Sequence, residues 1–282
     1  MLRNTPILFP ILALSILAIY CRPAASPYQS WCEQNFRADS GFVGGAQAAE
    51  LQRLICRYDS AVFTDEYRPV LLDLLDASQT SGQDSAGKFY GFRLPNGELR
   101  YVLYLPVNIL FADAILLLEF QSHEGAWTFE GYEWFFHGNH ACCLDGDWSE
   151  FSRLGPYLYV ETCGTGTGFC SGAANLVFFP LTPNIDNDYQ APSIPTQWWQ
   201  SFLLTESLNG TLGIAGDTIV ADYTFDLDTL MEDAAGEMIP HPLYKTRFTA
   251  LFQVDTSARK IRLLNRDAVL REEHLRYLFE DY

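Results

Sequence analysis

Cations are scarce in this chain. Lys and Arg number 18 against 35 Asp and Glu, a formal charge of −17. A surface of that sign repels phosphate backbones and anionic lipid heads, so nucleic acid is excluded as a partner and an anionic membrane surface is disfavoured. A long apolar run is lacking too. Pro6–Tyr20 has 15 uncharged residues, short of the roughly 20 that a helix needs to cross a bilayer. Val107–Phe120 is interrupted by Asp113, which suits buried strands better than a span. Methionine is rare, with three in the chain. Charged residues make up only 19% and aromatics reach 15%, which excludes a disordered composition.

What is present begins with an export signal. Arg3 supplies a short positive region, Pro6–Tyr20 the apolar run, and Ala24, Ala25 and Ser26 the small residues of a processing site, the order found in secretory leaders. An apolar run ending at Cys21 resembles the start of bacterial lipoproteins, but that pattern wants a small residue where Tyr20 stands, so a lipid anchor at Cys21 is the lesser alternative. Loss of residues 1–26 removes Arg3 and Arg22 and no acid, leaving 16 basic and 35 acidic residues, a charge of −19. The expected place is the periplasm or the extracellular space, with no transmembrane span in the mature chain.

Seven cysteines are present, and six remain when Cys21 is set aside: Cys32, Cys56, Cys142, Cys143, Cys163 and Cys170. An even set in an exported chain reads as disulfides. Cys32 and Cys56 share their own N-terminal segment and are expected to bond each other. Adjacent Cys142 and Cys143 are expected to cross to Cys163 and Cys170, with the pairing open. Thiols committed in this way are neither nucleophiles nor metal ligands.

The hydrophobic pattern divides the chain after the 1–26 signal into a helical disulfide-linked segment (27–80), a polar linker (81–87) and a β-rich domain with a C-terminal helix (88–282). Ala46, Ala49, Leu51, Leu54 and Ile55 recur near helical spacing, and Thr64 is placed to cap a second helix. From Lys88 onward about ten strand-like runs follow at hairpin spacing. Turn signals fall at Pro95-Asn96-Gly97, at Asn209-Gly210 and at Ser257-Ala258. No helix-length crossovers intervene, so the expected fold is mainly β, an antiparallel sandwich or barrel. Pro180–Pro195 reads as a long loop. Val269, Leu270, Leu275, Leu278 and Phe279 share one helical face and are expected to pack on the sheet.

The most suggestive stretch is ETCGTGTGFCSGAANLVFF (Glu161–Phe179). Its glycines match neither a dinucleotide fingerprint nor a Walker loop, which needs a Lys before its Ser or Thr. Gly168-Phe169-Cys170-Ser171-Gly172 resembles the cysteine elbow of dienelactone-hydrolase-type α/β-hydrolases, with Asp217 or Asp222 and then His241 downstream. An elbow joins a strand to a helix in a parallel sheet, whereas here a glycine run precedes and a poor helix former follows. A tight hairpin with a cysteine on each flank accounts for the residues better.

Other clusters have plain alternatives. His137 and His140 with Cys142 and Cys143 have metal-like spacing, but oxidised cysteines would leave too few ligands for zinc, and no metal is assigned. Asn184, Asp186 and Asp188 repeat as calcium-loop ligands do. Tyr189 stands where the glycine belongs and Pro195 where the bidentate glutamate belongs, so calcium is the alternative to a solvated acidic loop and no cofactor is expected. Trp198 and Trp199, with Trp134, are the candidate binding residues, because an exposed tryptophan needs a reason.

No complete catalytic constellation stands in the sequence. The expected function is a non-catalytic binding module for a protein or glycan of the cell envelope. The alternative is a hydrolase acting on an envelope or extracellular polymer through paired carboxylates, such as Glu130 and Glu133 or Asp145 and Asp147.

Overall fold

The computed structural model describes residues 32, 37–38, 45–57, 88–94, 97–109, 112–123, 126–137, 152–166, 168–182, 191–201, 204–232, 234–271, 273–280 and 282. The second helix expected from Thr64, the polar linker and Cys142–Cys143 lie outside these residues. The chain is mainly β, as the spacing of apolar runs predicts, and its strands form two antiparallel sheets.

In the first sheet, β2 (Lys88–Arg93), β3 (Leu99–Ile109), β4 (Ala112–His123) and β5 (Ala126–His137) follow one another as neighbours. A two-residue strand, β1 (Arg37–Ala38), adds in parallel beside β2. The second sheet runs in unbroken chain order: β6 (Ser152–Leu154), β7 (Tyr157–Gly166), β8 (Phe169–Val177), β9 (Ser193–Ser201), β10 (Leu204–Ala215), β11 (Thr218–Glu232), β12 (Met238–Asp255) and β13 (Lys260–Leu263). Every sequential pair in it is antiparallel, which connections without a helix-length crossover favour over parallel pairing.

Three apolar layers hold these parts together. Helix α1 (Gly45–Cys56) lays Leu51, Leu54 and Ile55 on one face of the first sheet, against Phe89, Tyr101, Leu103, Leu116 and Trp134. The Cys32–Cys56 disulfide, expected from the sequence, is buried in this layer. The helical segment therefore shares a core with the β domain. The opposite face of the same sheet, with Tyr90, Phe92, Val102, Ile115, Leu117 and Phe135, packs on Leu158, Val160, Val177 and Leu181 of the second sheet and the segment after it. Burial on both faces explains why the first sheet reads as continuous apolar runs such as Ile115–Leu118 rather than as alternation.

The third layer lies on the second sheet beneath the C-terminal turns. α2 (Arg266–Val269), a 3₁₀ turn (Glu273–Leu275) and α3 (Arg276–Phe279) bury Val269, Leu275 and Phe279 against Tyr223, Phe225, Ala250 and Phe252. The expected C-terminal helical face is present, carried by two short α-helices and the 3₁₀ turn between them. Phe279 meets the rings of Tyr223 and Phe248 edge-on, with centroids 5.4 and 6.0 Å away.

Two turn readings are corrected. Asn209-Gly210 is not a hairpin turn but the middle of β10, opposite Tyr223 and Thr224. A Cβ on Gly210 would stand 2.5 Å from Tyr223 Cε1, so the glycine makes room for a buried ring across the ladder. The true turn is Gly216–Asp217, with Gly216 at φ +66°. Pro195 is not loop but part of β9, at a bulge opposite Ala173, and its carbonyl accepts a hydrogen bond from Tyr223 Oη at 2.7 Å. The Ser257-Ala258 turn stands where expected, between β12 and β13.

Candidate functional site

Two features on this scaffold go beyond ordinary packing. The first is a pair of glutamates inside the seam between the sheets. Glu119 on β4 and Glu133 on β5 are 0% and 1% exposed. They lie on the same face as Ile115, Leu117 and Phe135 by strand alternation, diagonal to one another across the ladder, with Glu119 opposite Gly131 and Leu117 opposite Glu133. The segment after β8 closes over them. The Leu181 N–H donates to Glu119 Oε2 at 2.5 Å. A Cβ on Gly131 would stand 2.5 Å from the Leu181 carbonyl oxygen, so only glycine admits that backbone.

Two guanidinium groups border the seam. Arg100 Nη1 lies 3.6 Å from Glu119 Oε1 and donates to Gln121, while its Nη2 bonds Glu98 at 2.9 Å. Arg259 donates to Thr182 Oγ1 and to the Pro180 carbonyl. Neither Glu133 oxygen has a hydrogen-bond partner among the described residues. Desolvation dominates both carboxylates. It lifts Glu119 to about 7 against the lowering effects of the Leu181 N–H and Arg100, with a further rise from Glu130. It lifts Glu133 to about 8 against the pull of Arg259, and Glu119 adds to the rise. A neutral Glu133 answers its missing partners, because an unpaired buried carboxylate is far costlier than a buried acid.

The second feature is an arm formed by the end of β11 and the start of β12. Along β11 the odd-numbered residues Ile219, Ala221, Tyr223, Phe225 and Leu227 are buried against the C-terminal turns. The even positions carry acids at Asp222, Asp226, Asp228 and Glu232. The cover ends at the row Glu206–Leu227–Tyr244. There Tyr277 Oη reaches Glu206 Oε2 at 3.3 Å, and the His274 ring lies 6.5 Å from that of Tyr244. The alternation continues beyond it. Thr229 pairs with Leu204 and His241, and Met231 with Ile239. Leu204, Met231 and Ile239 are 40, 50 and 46% exposed.

The sequence-predicted residues are spread apart. Trp134 is buried between the first sheet and α1. Trp198 is half-buried, stacked on Phe169 and edge-on to Tyr277, with its Nε1 buried and without a hydrogen-bond partner among the described residues. Trp199, opposite Cys170, is exposed. The three do not share one surface. Glu130 is exposed and Glu133 buried, so these two do not converge; Asp145 and Asp147 lie outside the described residues. So do Asn184, Asp186 and Asp188. Of the histidine–cysteine cluster, His137 ends β5 and His140, Cys142 and Cys143 are outside. Among the described residues no three His, Cys, Asp or Glu side chains gather as a metal site, and no helix is long and apolar enough to cross a membrane.

The glycine stretch is a hairpin: Gly166 pairs with Phe169 across a turn at Gly168, φ +83°. Cys163 and Cys170 are both disulfide-bonded, and β8 continues into an antiparallel neighbour rather than a helix, so the elbow geometry does not exist here. The expected bridges to Cys142 and Cys143 fall outside the described residues.

Sequence reasoning missed Glu119, whose signal was a lone acid in the otherwise apolar Ala114–Phe120 run. It also missed the arm, whose signal was an apolar–acidic alternation running on to Glu232. No family model, curated protein or solved structure matches the chain.

Proposed function

We propose that this chain is an exported, disulfide-bonded, non-catalytic binding protein whose partner is a macromolecule of the cell envelope, protein or glycan. The observation that carries this reading is the arm, whose outer face has no cover among the described residues. A face patterned as core runs past the end of its cover and leaves Leu204, Met231 and Ile239 exposed together, and apolar side chains grouped on one face rather than scattered singly are what a small interaction site presents. Oxidised sulfur at Cys32, Cys56, Cys163 and Cys170 supports an oxidising compartment outside the cytoplasm. Trp199, exposed on β9, is a further contact candidate.

One observation favours a hydrolase as the second reading: two neighbouring carboxylates with displaced titration, the property that acid–base pairs share. Their placement favours structure instead. Both are sealed beneath Leu181 and the apolar side chains of the seam, where a polymer cannot reach without parting the sheets. The test is a pull-down of envelope proteins and glycans on the mature protein, run beside a polymer-cleavage assay. Retention without cleavage is expected. Cleavage that disappears in Glu133→Gln, with nothing retained, would reverse the conclusion.

A further inference from the structure

We propose that the exposed face of the β11–β12 arm docks a cationic amphipathic polypeptide segment of a partner protein. The inference rests on the binding reading and names the class of partner. The apolar contact would be Leu204, Met231, Ile239 and Tyr244. Met231, 50% exposed, stands on this face beside Ile239, while Met238 pairs with Glu232 on the opposite side. Flexible thioethers suit surfaces that adapt to a partner.

The arm's chemistry selects among occupants. On this face Glu206 marks the inner end and Glu237 stands in the connection at the tip, while Asp228 and Glu232 alternate onto the opposite side of the same two strands. Across residues 228–244 the only basic side chain is His241. Charges closer than a Debye length, roughly 8 Å at physiological salt, act on one another, so an arm that carries acids and no Lys or Arg over this span draws in a partner with Lys or Arg beside its apolar residues. An anionic lipid surface and a second copy of a chain of charge −17 are repelled.

Size points the same way. From the Leu227 row to the Met231 row the strip is about 13 Å long at about 3.3 Å per residue, and it is up to three strands wide at about 4.8 Å each. That area matches one side of a helix about 10 Å across and falls far below the roughly 800 Å² per partner of a stable dimer.

The manner of docking follows from the edge. Over Met238–Leu251, β12 has no strand partner on its outer side among the described residues, since β13 pairs only with Phe252–Asp255. Pro240 and Pro242 lack the N–H that an added strand would need. The partner therefore lies on the face of the arm rather than extending the sheet.

The experiment uses the mature protein with disulfides intact and a fluorescein-labelled 18-residue Leu/Lys amphipathic helix as probe. A Leu/Glu peptide of equal length and neutral phosphatidylcholine vesicles are run in parallel. Anisotropy should show saturable binding of the Leu/Lys peptide, weakened at least tenfold in Met231→Ser/Ile239→Ser and unchanged in Leu264→Ser, an exposed leucine off the arm. The bound peptide should also slow peroxide oxidation of Met231, read by mass spectrometry. Leu204→Ser on the neighbouring strand provides an independent variant should the double variant unfold.

Equal binding by the arm variants would overturn the proposal by making the attraction a property of net charge alone. Equal binding of the Leu/Glu peptide would remove the charge selection. Preferential vesicle binding would make the arm a lipid contact. A dimer seen by sedimentation and lost in the double variant would assign the face to a second copy. Slow oxidation of Met231 in the free monomer would mean that the chain covers its own arm. An envelope partner retained equally by wild type and double variant would leave the binding reading standing and remove the arm from it.

Discussion

Raising the pH from 5 to 8.5 should destabilise this protein through Glu119 and Glu133. Both carboxyls hold their proton in the folded chain well above the ordinary 4.5, to about 7 and about 8. The folded state therefore binds more protons than the unfolded state across this window, and stability falls as pH rises. Below pH 4.5 both groups are protonated in both states and the stability is at its fullest. Between 4.5 and 7 two protons separate the states, a slope of about 3 kcal/mol per pH unit. Between 7 and 8 one proton remains, about 1.4 kcal/mol per unit. For Glu133 alone the whole loss amounts to about 5 kcal/mol, a sizeable share of a domain's stability. Urea unfolding followed by tryptophan fluorescence, with disulfides intact, reads this as a falling midpoint from pH 5 to 8.5. Glu133→Gln keeps the neutral shape and removes the titration, so its slope below pH 7 should be about half that of wild type, and above pH 8 the variant should be the more stable protein. A midpoint that rises with pH, or identical slopes in the two proteins, would refute a buried neutral acid at position 133.

Other outcomes follow from the packing. Gly210→Ala should cost about 1–3 kcal/mol by overpacking, because the added methyl meets the buried Tyr223 ring, which its bond to Pro195 holds in place; a thermal scan checks it, and an unchanged Tm would mean that the ring is free to move. Phe279→Ala should cost about 3–5 kcal/mol, since that ring fills the space between Tyr223, Phe248 and Tyr282 beneath the C-terminal turns; urea titration reads it. Alkylation under non-reducing, denaturing conditions should label none of Cys32, Cys56, Cys163 and Cys170, and a reproducibly labelled Cys170 would return the thiol chemistry to consideration.

Much of the fold is legible in the residues because hairpin signals are local. The strand runs from Lys88 onward, the Cys32–Cys56 bridge and the apolar C-terminal face all follow from spacing and composition. Legibility failed where one local signal had two physical causes. Asn209-Gly210 has the composition of a turn, yet the glycine answers to Tyr223, which is distant in sequence and adjacent only in the sheet. The β9–β10 connection failed in the opposite way: it joins two strands through Phe202 and Leu203, with no glycine, proline or asparagine to announce it.

The candidate sites were less legible than the fold, for the same reason. Trp134, Trp198 and Trp199 were chosen by residue type, and type does not say which side of a sheet is covered. Composition, periodicity and cysteine parity by themselves determined an acidic, disulfide-bonded chain of antiparallel strands, because each rests on neighbours in sequence or on totals. Only the tertiary structure decided that Glu133 loses its water while Glu130 keeps it, and that the core pattern of β11 outruns its cover. Burial depends on which distant segments fold over a face, and no window of sequence contains them.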